Sequence, residues 1–560
     1  MHQFKLSGAA LATALLVAAC GGGGGGDPYG TQIATPERGQ LMQSPPALIT
    51  SLTAASFKAS LSASASGQSL LQLSTGSATG DLPCGVDVQY IKYGTVGGAG
   101  EKTDASGVLM TPTAPPGSTA DVLAKCTGAR PIVLYAHGTN ITKRYNLAEI
   151  ADNTNPANSE SVLLAAMYAA QGFIVVAPNY AGYDSSSLSY HPYVNADQQS
   201  KDMIDALAAA KSALPTLTSH PTASTKLFVT GYSQGGFAAM ATVRAMQALP
   251  TPIPVTASAP MSGPYAMSAY TDFIFMGGVA LGSTAFAPML TTSYQKSYGG
   301  IYSSPSDYFE STYATGIESL IPGSYDTTTV FSSGKLPQTA LFSNVTTDTP
   351  ALASVTPLVT GTSSDALFAK GVGTPNLIKN SARLSFVADA MTHGFDGALP
   401  PAMTGVAQTL QLATGVTHPL RVAAQRNDLR AGWTGPLNTS PMLLCGGNGD
   451  PTVFFNLNTQ VMAGVWGAKV SGHVVTVLDV DSSPTSASDP FAAAKVGFTT
   501  TKTNTYTAAY NAAIAANKST TEATVAAATA VTTAYHGSLV PPFCNAAARG
   551  FFNQFLAAGL

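Results

Sequence analysis

Gly231-Tyr232-Ser233-Gln234-Gly235 places one hydroxyl between two glycines. Glycine on each side lets the backbone turn sharply enough to present the serine oxygen to an incoming carbonyl. The five-residue pattern is weak alone in a chain with 54 glycines, so the flanking residues carry the reading. Lys226–Thr230 is a short apolar run suited to a buried strand, and Gly236–Met246 follows with helix-forming, small-residue character. Strand, glycine turn, serine and helix therefore occur in the order a serine nucleophile requires. The alternative for Ser233 is a helix cap.

A serine hydroxyl attacks slowly unless a histidine takes its proton and an acid orients that histidine. In the α/β-hydrolases, which this serine turn resembles, acid and then histidine follow the serine in the chain. Beyond the later strands lie His473 and His536. His473 opens a strand-like run, whereas His536 falls in Tyr535-His536-Gly537-Ser538-Leu539, read as a loop before the last helix, so His536 is the expected base. Asp450 is the expected acid, because Gly446-Gly447-Asn448-Gly449-Asp450-Pro451 directly follows a buried strand. Asp479 and Asp481, after the next strand, are its rivals, and an ordinary turn aspartate is the bland reading. Backbone N–H groups must stabilise the oxyanion. Gln234, directly after the serine, supplies one, and Thr139 in His137-Gly138-Thr139-Asn140 is expected to supply the second, with His137 bracing that loop.

The elements that must hold these residues alternate. Val86–Tyr93 and Ser106–Met110 predict an antiparallel opening pair; Arg130–Ala136, Phe173–Ala177, Lys226–Thr230 and Val255–Pro260 predict buried strands. Helices are expected at Ser161–Gln171 and Gln198–Leu214. Such alternation predicts an α/β fold with a mostly parallel central sheet and helices on both faces. From residue 266 to 435 the alternation stops, giving an inserted cap over the strand ends, and it resumes at Ser440–Cys445 and His473–Leu478. The expected division is residues 1–19 leader, 20–80 tether and helical arm (helical around Ala54–Leu73), 81–265 first core part, 266–435 cap and 436–560 second core part.

The chain has 560 residues, 45% of them hydrophobic and 10% charged, with net charge −3. That composition supports a large core and argues against a nucleic-acid partner. Lys5 and the apolar run Leu6–Ala19 are too short for a comfortable membrane span. Four cysteines remain after Cys20, and an even number in an exported chain points to disulfides. Three pairings are possible; Cys84 with Cys126 and Cys445 with Cys544 is the expected one, since the first two bracket the opening strands and the others lie beside the acid and base candidates. No paired Cys-x-x-Cys spacing suggests a metal.

Two resemblances extend this reading. Leu16-Val17-Ala18-Ala19-Cys20 resembles the lipobox of bacterial lipoproteins, which implies cleavage before Cys20, acylation of that cysteine, a Gly21–Gly26 tether and, with Gly21 following, delivery to a Gram-negative outer membrane; the alternative is an ordinary secretory leader with a chance cysteine and a secreted protein. Membrane contact is then expected only through that lipid. Ala177-Pro178-Asn179-Tyr180-Ala181-Gly182-Tyr183, His191-Pro192-Tyr193, Gly231–Gly236, Asn427-Asp428-Leu429 and Gly449-Asp450-Pro451, together with Tyr135–Thr139, resemble α/β-hydrolases of the secretory lipase type. The resemblance covers about residues 84–265 and 420–560. It implies an α/β-hydrolase fold with a cap after the sixth strand and a serine esterase or lipase; no cofactor is expected, and the low charge content points to neutral esters, small or polymeric. The segment Ser482–Thr533 is long for that family. A polyester depolymerase or serine peptidase on the same fold, and a non-catalytic surface-binding lipoprotein, are the competing expectations.

Overall fold

The computed structural model describes residues 36–77, 79–218, 221–356, 367–396, 411–467 and 474–556. The leader, Cys20, the glycine tether and His473 lie outside the described residues. Among the described residues, nine strands form one sheet: β1 (Ala47–Leu52), β2 (Gly85–Val96), β3 (Lys102–Thr113), β4 (Ala129–Ala136), β5 (Ile174–Pro178), β6 (Thr222–Tyr232), β7 (Ala257–Met261), β8 (Met442–Gly446) and β9 (Val475–Asp479). Their spatial order is β1-β2-β3-β5-β4-β6-β7-β8-β9. Pairing is antiparallel from β1 through β3 to β5 and parallel from β5 to β9.

The central strands β5, β7 and β8 are buried at every position. Helices cover both their faces, so they need apolar or small residues throughout instead of an alternating pattern. Helix Ala196–Ala213 is capped by Asn195, whose side chain accepts from Gln198 N, and helix Gln234–Ala248 packs on β6 and β7.

Several expected boundaries shift for identifiable reasons. The opening strands extend well past Val86–Tyr93 and Ser106–Met110, because polar residues such as Lys102 and Thr113 still join the ladder. The β7 strand starts at Ala257 instead of Val255 and runs to Met261. The helix expected at Ser161–Gln171 starts at Asn158 and ends at Met167, giving way to a 3₁₀ turn at Ala169–Gln171. The described part of the stretch read as tether is already packed on the fold. Arg38 bridges to Gly94 in β2 and pairs with Asp205 at 3.0 Å, and β1 forms a sheet edge. The helical arm is two helices, Ala54–Ser62 and Ala65–Thr75, broken where Ser64 caps the second by accepting from Gly67 N.

Between β7 and β8 the described chain adds no strand to the sheet. It forms helices that include Met267–Phe275, Ser283–Tyr298, Asn380–His393 and Pro419–Arg426. Buried ion pairs tie this segment together: Arg421 meets Asp272 at 2.6 Å and Asp389 at 2.8 Å, and Arg430 meets Asp396 and Asp428, both at 2.8 Å. Disulfides join Cys84 to Cys126 and Cys445 to Cys544.

Candidate active site

Strand β6 ends at Tyr232 and the next helix begins at Gln234, leaving Ser233 alone on the turn with φ 58° and ψ −123°. A non-glycine residue with positive φ is strained, and this one is held by its surroundings. Ser233 N donates to Met261 O at 2.9 Å, and Ser233 O accepts from Phe237 N. The flanking glycines are required by space: a Cβ on Gly235 would lie 1.9 Å from Ala136 O, and one on Gly231 would lie 2.4 Å from Gly235 O. Only a bare backbone lets helix and strand approach this closely.

Ser233 Oγ lies 2.8 Å from His536 Nε2, and His536 Nδ1 lies 2.6 Å from Asp450 Oδ2. The Asp450 carboxylate only accepts, so Nδ1 carries the hydrogen and Nε2 presents a lone pair to the serine hydroxyl. The other oxygen, Asp450 Oδ1, accepts from Thr452 N at 2.9 Å and Val453 N at 3.0 Å, which fixes the carboxylate plane. Asp450 is buried, while the His536 side chain keeps 12% of its surface exposed.

His536 does not sit in a loop. Tyr535–Leu539 is a π-helical turn joining helix Thr520–Ala534 to helix Val540–Asn553, and Val540 N closes it on Tyr535 O. Pro541 and Pro542 explain the irregularity: neither has an N–H, so Gly537 O and Ser538 O lose their usual partners four residues on. The turn is pinned from outside by Tyr232 OH, which donates to His536 O at 2.6 Å.

The rival acids serve a different purpose. Asp479 accepts from Asn448 N and Nδ2, and Asp481 accepts from Tyr535 OH at 2.6 Å and pairs with Lys502. Tyr535 OH also accepts from Gly449 N at 3.0 Å. Both carboxylates therefore brace the loop that carries Asp450, and the bonds they make run to that loop and its neighbours rather than to His536.

Thr139 and Gln234 line a cavity together with Ser233. Gln234 is the first residue of its helix, where backbone N–H groups lack intrahelical partners. His137 is buried between the rings of Tyr145 and Tyr180, centroids 4.3 and 4.1 Å away, with its nitrogens against Gly138 O and Asn179 O. Its ring is committed to the loop.

Two residues without an expected role also touch this region. Tyr193 OH bonds Thr139 Oγ1 at 2.9 Å, and His191 Nε2 lies 2.6 Å from Gln234 Nε2. His191 Nδ1 faces Ala181 O at 2.9 Å and must donate to it, so Nε2 accepts from the Gln234 amide. Burial pushes the His191 imidazole down to about 3, which keeps it neutral. The His191-Pro192-Tyr193 motif was visible in the sequence, but nothing in its residue types announced contacts to positions 139 and 234.

Comparison with known proteins agrees with this architecture. The rice cell wall degrading esterase LipA from Xanthomonas oryzae is similar at 26% identity, covering 82% of this chain and 95% of that one, with a TM-score of 0.56. The fold is that of the α/β-hydrolases. A ligand-bound form of the same esterase matches at 23% identity over 89% of this chain and 98% of that chain, TM-score 0.57. A Legionella pneumophila protein matches at 19% identity, 79% and 91% coverage and TM-score 0.55. The prolyl oligopeptidase family (peptidase family S9) matches residues 159–249, the stretch around the serine turn. No curated protein matches the chain. The chain is a hydrolase on the α/β-hydrolase fold, with structural similarity to an esterase.

Proposed function

We propose that this hydrolase cleaves carboxylic esters through a Ser233–His536–Asp450 triad. The observation that carries the reading is the continuous hydrogen-bonded path from Ser233 Oγ through His536 to Asp450, at 2.8 and 2.6 Å. Ser233 Oγ attacks the ester carbonyl carbon as His536 Nε2 takes its proton, and Asp450 stabilises the resulting imidazolium. Backbone N–H groups of Thr139 and Gln234 receive the oxyanion. His536 then returns the proton to the departing alcohol, and water, activated by the same histidine, releases the acid from Ser233.

An apolar cavity beside Ser233, with Met267, Ile274, Phe286 and Leu290 among its walls, supports an acyl group as the bound portion. The similarity to an esterase points the same way. Ser233→Ala should lower kcat on p-nitrophenyl butanoate by about 10⁴-fold or more while leaving the fold intact, and a fluorophosphonate should label only the parent protein. Retained hydrolysis in that variant would sink the triad. A peptidase is the second reading, favoured by the match to the prolyl oligopeptidase family. Faster release of fluorophore from aminoacyl amides than from acyl esters would select it. The sequence around Cys20 supports an acylated, outer-membrane location, and Cys20→Ser should then move the protein from the membrane to the soluble fraction.

A further inference from the structure

Two hollows meet at Ser233, and the histidine separates their roles. The first is the cavity under the inserted segment, walled by Met267, Ile274, Leu290, Leu420 and Val453 and lined by Gln234. The second is a groove lined by His536 and walled by helix Ala65–Thr75, Leu163 and the Pro541-Pro542 step. Ser233, Thr139 and Phe286 line both.

In the tetrahedral intermediate the carbonyl carbon carries four groups: the serine oxygen, the oxyanion, the acyl chain and the leaving oxygen. The leaving oxygen must face His536 Nε2, because that nitrogen delivers its proton as the C–O bond breaks. The oxyanion faces Gln234 N and Thr139 N. Geometry then sends the alcohol portion towards the hollow that His536 lines and leaves the acyl chain the hollow that Gln234 lines. Chemistry agrees with this division. The cavity walls are aliphatic and aromatic side chains with a few hydroxyls, suited to an acyl chain. The groove carries Leu70, Leu73 and Leu163 beside Ser66, Ser69 and Ser159. Among the described residues no lysine or arginine lines it, and the Glu160 carboxylate there already accepts from Tyr135 OH at 2.9 Å and from Tyr145 OH.

We propose that the groove between helix Ala65–Thr75 and the Pro541-Pro542 step binds the alcohol portion of the substrate, and that preferred substrates join an apolar acyl chain to a bulky, uncharged, largely apolar alcohol. The proposal rests on the ester-hydrolase reading above. It makes the second arm helix, a segment remote from the catalytic motifs in sequence, a wall of the substrate site.

The test uses the full-length protein and three esters: methyl acetate, methyl octanoate and 4-biphenylmethyl octanoate. Ser69 is exposed on the groove side and Leu290 lines the cavity. Ser69→Trp should lower the ratio of kcat/KM for the biphenylmethyl ester over methyl octanoate by about tenfold. Leu290→Trp should instead lower the ratio of methyl octanoate over methyl acetate by a similar factor. Labelling of Ser233 by a small fluorophosphonate in both variants checks that the triad is still assembled. An alcohol ratio that Ser69→Trp leaves within twofold, or a reversal in which Leu290→Trp moves the alcohol ratio and Ser69→Trp the acyl ratio, overturns the assignment alone. Failure of the parent protein to hydrolyse either methyl ester in a Ser233-dependent way overturns the ester reading, and this assignment with it.

Discussion

At the scale of single residues, hydrogen-bond roles are fixed by which groups can only accept. Asp450 forces the hydrogen of His536 onto Nδ1, and Ala181 O does the same for His191. The second case has a functional side. His191 and Tyr193, two residues apart, each hold one proposed oxyanion residue, Gln234 and Thr139. Tyr193→Phe removes only the Thr139 bond, so kcat should fall by about fivefold to tenfold, a loss of about 1 kcal/mol, with KM little changed. A rise in KM at constant kcat would instead assign Tyr193 to substrate binding.

His191 also gives the fold a pH dependence. Its imidazole is held down to about 3, so between pH 6.5 and 3 the unfolded chain binds a proton that the folded chain refuses, and stability falls as the pH falls through that window. Asp202, pushed up to about 6 by burial, acts in the opposite sense between pH 6 and its ordinary carboxylate value. Comparing variants isolates the histidine: His191→Gln should lose less thermal stability than the parent between pH 6.5 and 4.5. Equal slopes of melting temperature against pH would refute that account. From sequence, Ser233, Asp450 and His536 could be picked out because glycine spacing and chain order constrain them. His191 could not be assigned, because its partner is a side chain 43 positions away whose direction depends on the strained turn at Ser233.

At the scale of elements, the π-helical turn is what aims His536. Gly537 and Ser538 make the segment look like a loop in sequence, since both residues disfavour helix interiors. The structure keeps it helical by accommodating an extra residue, and a π-turn widens the helix by one position. Deleting Gly537 should restore ordinary α-helical register and rotate His536 by about 100° relative to the helix that follows. Fluorophosphonate labelling should be lost while the far-ultraviolet circular dichroism is retained; preserved labelling would show that Tyr232 alone positions the ring. The serine turn makes a second element-level prediction. Gly235→Ala places a methyl against Ala136 O, with no flexible side chain to yield, and should destabilise by several kcal/mol or prevent folding. Soluble protein with parental denaturant midpoint would contradict it. The buried parallel strands were legible because short, continuous apolar runs bounded by turn residues suit a strand covered on both faces. The edge strand β1 was not, because its exposed Leu48 and Ile49 carry no alternating pattern.

At the scale of the whole molecule, the segment between β7 and β8 is held by charge as well as by packing. Arg421 is almost fully buried between Asp272 and Asp389, whose helices are otherwise far apart in sequence. Truncating it leaves two carboxylates without their cation, so Arg421→Ala should cost about 3–5 kcal/mol in urea unfolding. A change below about 1 kcal/mol would mean that water replaces the guanidinium. The disulfides act at the same scale. Cys445–Cys544 closes a separation of 99 residues and Cys84–Cys126 one of 42, contributing about 5 and about 4 kcal/mol in the chain-entropy picture. Cysteine spacing alone does not choose among the three pairings, since proximity in space is settled by the sheet order.

The wide separation of Ser233 and His536 along the chain, 303 positions, has a consequence for biosynthesis. Under the proposed triad, a ribosome that has already released the serine turn has not yet made the histidine that would activate it, and a product stopped short of the closing helices would be inert. Oxidation of Cys544 then bolts those helices to the strand that leads to Asp450. On the ester-hydrolase proposal, newly made chains would be harmless to the acyl esters of the cell that makes them until their final segment has docked.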